Sequence, residues 1–379
     1  MSAISVIEGF AGRLGIAAAV LLAGLVLAAP AESSTKISGF NDDAVGGVHQ
    51  ISPDQYAGLV RATGGNTIRT NLDWRLAEPE QDVWAERWWE RWQELYDSAL
   101  ARRVTPVFII GFAPRWARAV DITCGDFAGP ALAHDPGFGS CELPPRPAMD
   151  DEWAEYASEV ARRFPAARIE VWNEPNTSDY WRPAPDPVRF AQLLTHAYHA
   201  IKAVSPETEV ISGGLLNVRK TDPLKGEVSV RDFLSVAYSA LPSVKGSADM
   251  IGLHPYPSGA YVGIASRFQQ AFADVRAVRD AHGDEQTPIL VTETGVSTAD
   301  LLVAPERRQA LALARIDSLM AAMPDVAGVI YHRVVEPRDT STSEREHGYA
   351  WLRYGGEPLE PRPVFCRFVD RARRSYPGC

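Results

Sequence analysis

Two glutamates end apolar runs in matching ways. Ile169-Glu170-Val171-Trp172 runs into Asn173-Glu174-Pro175-Asn176, and Ile289-Leu290-Val291-Thr292 runs into Glu293-Thr294-Gly295. Each follows a strand-like segment and precedes Pro or Gly within two residues, so each is expected at the open end of a sheet. A carboxylate at the rim of an apolar core is costly unless it is paired or used. Either glutamate alone reads equally well as an ion-pair partner or a neighbour of a helix N-cap. Together they suit a reaction that needs two carboxyl groups. In glycoside hydrolysis one carboxylic acid protonates the leaving oxygen while the other carboxylate attacks or activates water. Glu174 would then have to be protonated near neutral pH, with Trp172 and Trp181 as candidates for an apolar wall. Glu293 would have to stay ionised, helped by a hydrogen bond from Arg69 or Tyr256.

Such a pair needs elements that bring it together. Short apolar or β-branched runs alternate with longer helical patterns from residue 36 onward. The candidate strands are Lys36–Asn41, Thr67–Leu72, Thr105–Ile110, Arg168–Trp172, Glu209–Ser212, Met250–His254, Ile289–Thr292 and Gly328–Tyr331. Between them, Ser52-Pro53 reads as an N-cap with proline at the first helical position, in a helix ending near Gly64-Gly65. Trp88, Trp92, Leu95 and Ala99 form an apolar stripe at helical spacing. Further helices are predicted over Asp150–Phe164, Pro187–Val204, Val230–Leu241, Tyr261–His282, Pro305–Met320 and Pro363–Arg373. Strands separated by helices pair in parallel, and eight such units closing on themselves give a single-domain α/β fold, a (β/α)₈ TIM barrel. A doubly wound open sheet is the rival, though no glycine-rich phosphate loop supports it. The Pro/Gly-rich stretch Phe112–Pro147 is too long for an ordinary connection and reads as a functional loop. In the barrel, strands four and seven lie on opposite sides, so their rim side chains can meet across the mouth.

The string Ala157–Asn176, ending in Ile-Glu-Val-Trp-Asn-Glu-Pro-Asn, resembles the acid/base strand of the large clan of retaining glycosidases built on (β/α)₈ barrels. It is most similar to family 39 and its relatives, with family 5 next. The resemblance implies that Glu174 is the acid/base, that Glu293 in Val-Thr-Glu-Thr-Gly is the nucleophile, and that Asn173 binds the sugar 2-hydroxyl. Gly65-Asn66-Thr67-Ile68-Arg69 resembles the clan's second strand, which implies that Arg69 supports the nucleophile. His254-Pro255-Tyr256 is similar to its sixth-strand H-x-Y, which implies that His254 and Tyr256 lie beside Glu293. Pro114-Arg115-Trp116-Ala117 resembles a third-strand loop of family 39. On the eighth strand, where family 5 carries a tryptophan platform, this chain reads Val329-Ile330-Tyr331-His332.

Aromatic rings stack on sugar faces. Trp116, Trp181, Tyr256, Tyr331 and Trp351 fall in or near expected strand–helix loops and are candidate substrate contacts, whereas Trp84, Trp88, Trp89 and Trp92 read mainly as core. His49, His196, His199 and His282 lack partners at metal-ligand spacing, so neither a metal nor another cofactor is expected. The net charge of −10 argues against a nucleic-acid partner. A poly- or oligosaccharide fits better, acted on by a monomer with a slight preference for internal bonds. A non-catalytic carbohydrate-binding barrel and a metal-dependent hydrolase on the same fold are the alternatives.

Arg13, the apolar run Leu14 to Ala28 and then Ala29-Pro30-Ala31 read as a signal peptide over residues 1–31, or as an N-terminal membrane anchor facing outside. The hydrolase domain would follow over 32–379, secreted and extracellular. Four cysteines in an exported chain suggest disulfides, and proximity favours Cys124 with Cys141 and Cys366 with Cys379.

Overall fold

The computed structural model describes residues 36–42, 51–118, 142–257, 264–337, 342–355 and 358–379. Eight strands form its centre: β1 (Ile37–Asn41), β2 (Thr67–Asp73), β3 (Thr105–Gly111), β4 (Arg168–Asn173), β5 (Val210–Leu216), β6 (Ile251–His254), β7 (Ile289–Thr294) and β8 (Val326–His332). Each pairs in parallel with the next, and β8 pairs with β1 in the register Ile37↔Gly328 to Asn41↔His332. The barrel is therefore closed, and the open-sheet rival is excluded.

Strand alternation divides the apolar residues into two layers. Ile37, Val107, Ile211, Met250, Leu290 and Ile330 pack on each other inside the barrel. Their sequence neighbours Phe108, Val210, Ile251, Ile289, Val291, Val329 and Tyr331 belong to the larger layer between strands and helices. Space inside is tight. A Cβ on Gly39 would lie 1.8 Å from the Thr67 carbonyl oxygen, so β1 can approach β2 this closely only as glycine.

The helices begin where their capping chemistry says they should. Ser52 accepts from the Gln55 amide ahead of Pro53–Ala62, and Asp186 accepts from the Val188 and Arg189 amides ahead of Pro187–Val204. Ser229 does the same for Val230–Ala240. The remaining long helices are Glu86–Ala101, Asp150–Arg163, Ile264–Ala281, Pro305–Ala321 and Pro363–Arg371. In Glu86–Ala101 the buried face is Trp89, Trp92, Leu95, Tyr96 and Ala99, so the stripe is centred one residue later than Trp88. A short helix, Glu344–Tyr349, and a two-stranded pairing of Leu352–Arg353 with Glu360–Pro361 were not apparent in the sequence. Neither is long enough to show a period.

Cys366 and Cys379 form a disulfide that ties the last helix to the end of the chain. Cys124 and Cys141, the expected leader over 1–31 and most of the long loop after β3 lie outside the described residues. Among the described residues no helix is long and apolar enough to cross a membrane. Replacing Cys366 and Cys379 by serine together opens a crosslink 13 residues apart in sequence. The expected cost is about 3 kcal/mol in the chain-entropy model, read as a lower denaturant midpoint at unchanged near-UV spectrum.

Candidate active site

Glu293 and Asn173 reach the barrel mouth because their strands break the regular alternation. On β7, Leu290 points inward and Val291 outward, so simple alternation would send Glu293 outward as well. The register slips between Val291 and Thr294: Val291 pairs with Val329, and Thr294 with Tyr331. Three steps on β7 thus match two on β8. Such an extra residue re-aims a side chain, and Glu293 turns into the cavity. On β4, Ile169 and Val171 face the helices while Glu170 faces the barrel interior. Trp172 then adopts φ of 74° and joins the outer aromatic layer against Phe112 and Trp181. Asn173 consequently turns inward to Arg69, and Glu174 follows at φ of 42°. Positive φ at two non-glycine residues is strained and persists only where neighbours hold it. Here the holders are the Glu174 amide bonded to the Gly214 carbonyl and the Asn176 side chain, which bonds Leu216 and Val228.

Arg69 is the hub of the site. Its guanidinium is buried and donates to Glu170 through Nε and Nη2, at 2.5 and 3.1 Å. Nη1 donates to Asn41 Oδ1 at 2.8 Å and to Glu293 Oε2 at 3.0 Å, and Nη2 to Asn173 Oδ1 at 2.8 Å. Because a guanidinium only donates, the Asn173 oxygen must face it, which leaves the Asn173 amide nitrogen as a donor on the other side. Glu293 also accepts from Asn41 Nδ2 at 2.8 Å and from the Tyr256 hydroxyl. His254 Nδ1 lies 2.8 Å from Glu174 Oε1, and its Nε2 lies 3.0 Å from Thr292 Oγ1. The Thr292 hydroxyl can donate or accept, so it serves either tautomer of His254. A Cβ on Gly214 would sit 2.1 Å from His254 Nε2, so the imidazole occupies space that only glycine leaves free.

These surroundings drive the two carboxyls apart in acidity. Burial raises the Glu174 pKa above the ordinary range, opposed by the His254 hydrogen bond and reinforced by the charge of Glu293. Burial would raise Glu293 too, but His254, His332 and Arg69, with the Tyr256 hydrogen bond, hold it below the ordinary range. Burial and the Glu293 charge push the Tyr256 phenol well up, so it remains a donor.

The site opens into a cavity of about 970 Å³ lined by Asn41, Arg69, Asn173, Glu174, Tyr256 and Glu293 among others. Of the residues proposed from sequence, Glu174, Glu293, Asn173, Arg69, His254 and Tyr256 are gathered here. Three aromatic expectations are corrected. Trp181 is buried against Trp172 and Phe190. Tyr331 follows the inward Ile330, so it faces the helices and donates to Asp317. Trp351 is wholly buried against Phe40 and Phe368. None of the three offers a ring face to a ligand. Trp116 packs on Trp74, donates to the Glu78 carbonyl and does not line the cavity. Sequence reasoning missed Asn41 and His332, which also line it. Strand parity could have found them, since each is two residues beyond an inward position, Gly39 and Ile330.

One donor atom each from Glu174, His254 and Glu293 lies within 4.8 Å of the others, close enough to share an ion. The Arg69 charge beside Glu293 already fills the electrostatic need a cation would meet, and both His254 nitrogens are engaged.

No protein-family model and no curated protein matches the chain. Solved structures do share its fold. A family 39 glycoside hydrolase from the gut symbiont Bacteroides cellulosilyticus WH2 is 19% identical at a TM-score of 0.60, covering 89% of this chain and 64% of its own. A monomeric β-xylosidase from Caulobacter crescentus CB15 is 18% identical at 0.59, covering 88% and 67%. A GH5_18 from Bifidobacterium longum subsp. infantis is 14% identical at 0.62, covering 90% and 80%. The chain thus spans less than two thirds of the Bacteroides protein, and at these identities the shared property is the barrel.

If the buried Arg69–Glu170 pair holds the site together, Glu170→Gln should cost about 3 kcal/mol, the low end for breaking a buried pair because Glu293 still partners Arg69. Equilibrium denaturation measures this; a midpoint unchanged from the parent protein contradicts it.

Proposed function

We propose that the protein is a retaining glycoside hydrolase that cleaves β-glycosidic bonds of a poly- or oligosaccharide. The observation carrying this reading is the Glu174–Glu293 pair: two carboxyls with oxygens within 4.8 Å across one cavity, in surroundings that make one an acid and the other an anion. That spacing is nearer the roughly 5–5.5 Å of double-displacement enzymes than the roughly 6.5–9.5 Å that leaves room for a water. The printed descriptions of the structural neighbours, a family 39 hydrolase and a β-xylosidase among them, support the same reading.

In this reading Glu174 protonates the departing oxygen while Glu293 bonds to the anomeric carbon. Arg69, Asn41 and Tyr256 orient the attacking carboxylate and keep it ionised. The Asn173 amide nitrogen, turned to the cavity by Arg69, donates to the sugar 2-hydroxyl. Once Glu293 is esterified its negative charge is gone, so Glu174 loses its proton more readily and serves as base toward water. A cavity at the upper end of the usual size range suits more than one sugar unit, which favours internal bonds. The Cys366–Cys379 disulfide suits an oxidising compartment, in keeping with export of the 32–379 domain behind a leader or anchor at 1–31.

Glu293→Ala should abolish turnover in a protein that still folds, as read by an unchanged circular dichroism spectrum, and Glu174→Gln should slow it by about 10²–10⁴-fold, less for aryl glycosides with good leaving groups. Proton NMR should show a first product with the substrate's anomeric configuration; inversion, or undiminished hydrolysis by Glu293→Ala, contradicts the assignment. The pH profile follows from the directions of shift. Activity needs Glu174 protonated and Glu293 ionised, so kcat/KM should fall as pH rises through the elevated Glu174 pKa. Its acid limb should lie below the ordinary carboxylate range. Glu174→Gln should remove the alkaline limb.

A further inference from the structure

The β8 side of the mouth carries a third carboxylate that the reaction above does not use. Glu346, in the short helix Glu344–Tyr349, lines the same cavity as Glu293 with its side chain 38% exposed. Its Oε2 is pinned: His332 Nε2 lies 2.9 Å away and Arg333 Nη2 3.7 Å. The direction of the first bond is fixed. An ionised carboxylate only accepts, so His332 Nε2–H donates to Glu346, while His332 Nδ1 lies 3.4 Å from Asn41 Nδ2. The other oxygen, Oε1, makes no hydrogen bond with any described residue. Burial works against its ionisation, but His332 and Arg333 hold its pKa down, so it stays a charged acceptor.

The relay Glu293–Asn41–His332–Glu346 sets the location. Two side chains separate the carboxylates, a reach suited to the end of a sugar ring remote from an anomeric carbon held at Glu293. An anchored anion with a spare lone-pair set, facing a cavity, recognises hydroxyl groups through short charge-assisted bonds. The inward β8 position beside it is His332, whose two nitrogens are already engaged, and the neighbouring Tyr331 faces away. From this arrangement we infer that Glu346 binds hydroxyl groups of the glycone and makes this subsite selective for hydroxyl pattern rather than for a stacked ring face. The inference rests on the glycosidase reading and adds to it the chemistry by which the sugar is chosen.

The test pairs Glu346→Ala with substrates that each lack one ring hydroxyl. For an aryl glycoside that the parent enzyme turns over, the substitution should lower kcat/KM by about 10- to 100-fold, as for loss of a hydrogen bond to a charged group. For the monodeoxy analogue missing the partner hydroxyl, it should lower kcat/KM no further. Equal losses on every analogue mean a merely structural role and overturn the inference, as does no loss on the parent glycoside. Should Glu346→Ala fail to fold, Glu346→Gln retains the His332 contact and the side-chain volume, and the same selectivity is expected of it in smaller degree. Parent-enzyme turnover in the same assay separates the two readings. No turnover of any glycoside overturns both, whereas turnover with an unselective Glu346 effect overturns only this one.

Discussion

A buried guanidinium must be neutralised where it lies, and Arg69 imposes that requirement on the whole barrel mouth. Its five N–H groups leave β2 and find Glu170 on β4, Glu293 on β7, Asn41 on β1 and Asn173 on β4. Four strands are thereby held in one relative position by a single side chain, and the cost of its burial is offset only while all of them are in register. The same contacts fix the orientation of every polar group that faces the cavity. Glu293 is held as an anion, and the Asn173 amide is turned with its nitrogen outward.

The arrangement also separates two carboxyl groups that would otherwise behave alike. Glu293 sits among donors and cations, whereas Glu174 sits in a drier place with His254 as its neighbour. The difference arises from backbone irregularity. A bulge on β7 turns Glu293 inward, and positive φ at Trp172 turns Asn173 inward, where plain strand geometry would not. The strain at Trp172 and Glu174 is sustained by the regular ladder below it, filled by Ile37, Val107, Ile211, Leu290 and Ile330.

Much of this was legible in the sequence, because barrel strands and their crossover helices follow simple periods and caps. Ser52-Pro53 and Asp186-Pro187 mark helix starts that the structure reproduces, and all eight strands fall within a few residues of their expected limits. The site residues carried by strand-end motifs were legible for the same reason. The aromatic rings were not. Trp181, Tyr331 and Trp351 were assigned by proximity to loops, but a ring's direction depends on strand parity and on what packs behind it. Asn41 and His332 were missed because single polar residues at strand ends have no motif; only the inward parity of Gly39 and Ile330 points to them. Glu346 lies on a six-residue helix with no periodic signal.

The central claim is that Glu293 forms a bond to sugar carbon while Glu174 manages the proton. A 2-deoxy-2-fluoro glycoside with an activated leaving group, made from whichever sugar the enzyme accepts, tests it most directly by slowing release of the intermediate. After digestion, mass spectrometry should find one fluorosugar attached to the peptide that contains Glu293, and none when Glu293 is replaced by alanine. Label on a different residue, or turnover of the fluoroglycoside through no covalent species, would contradict it.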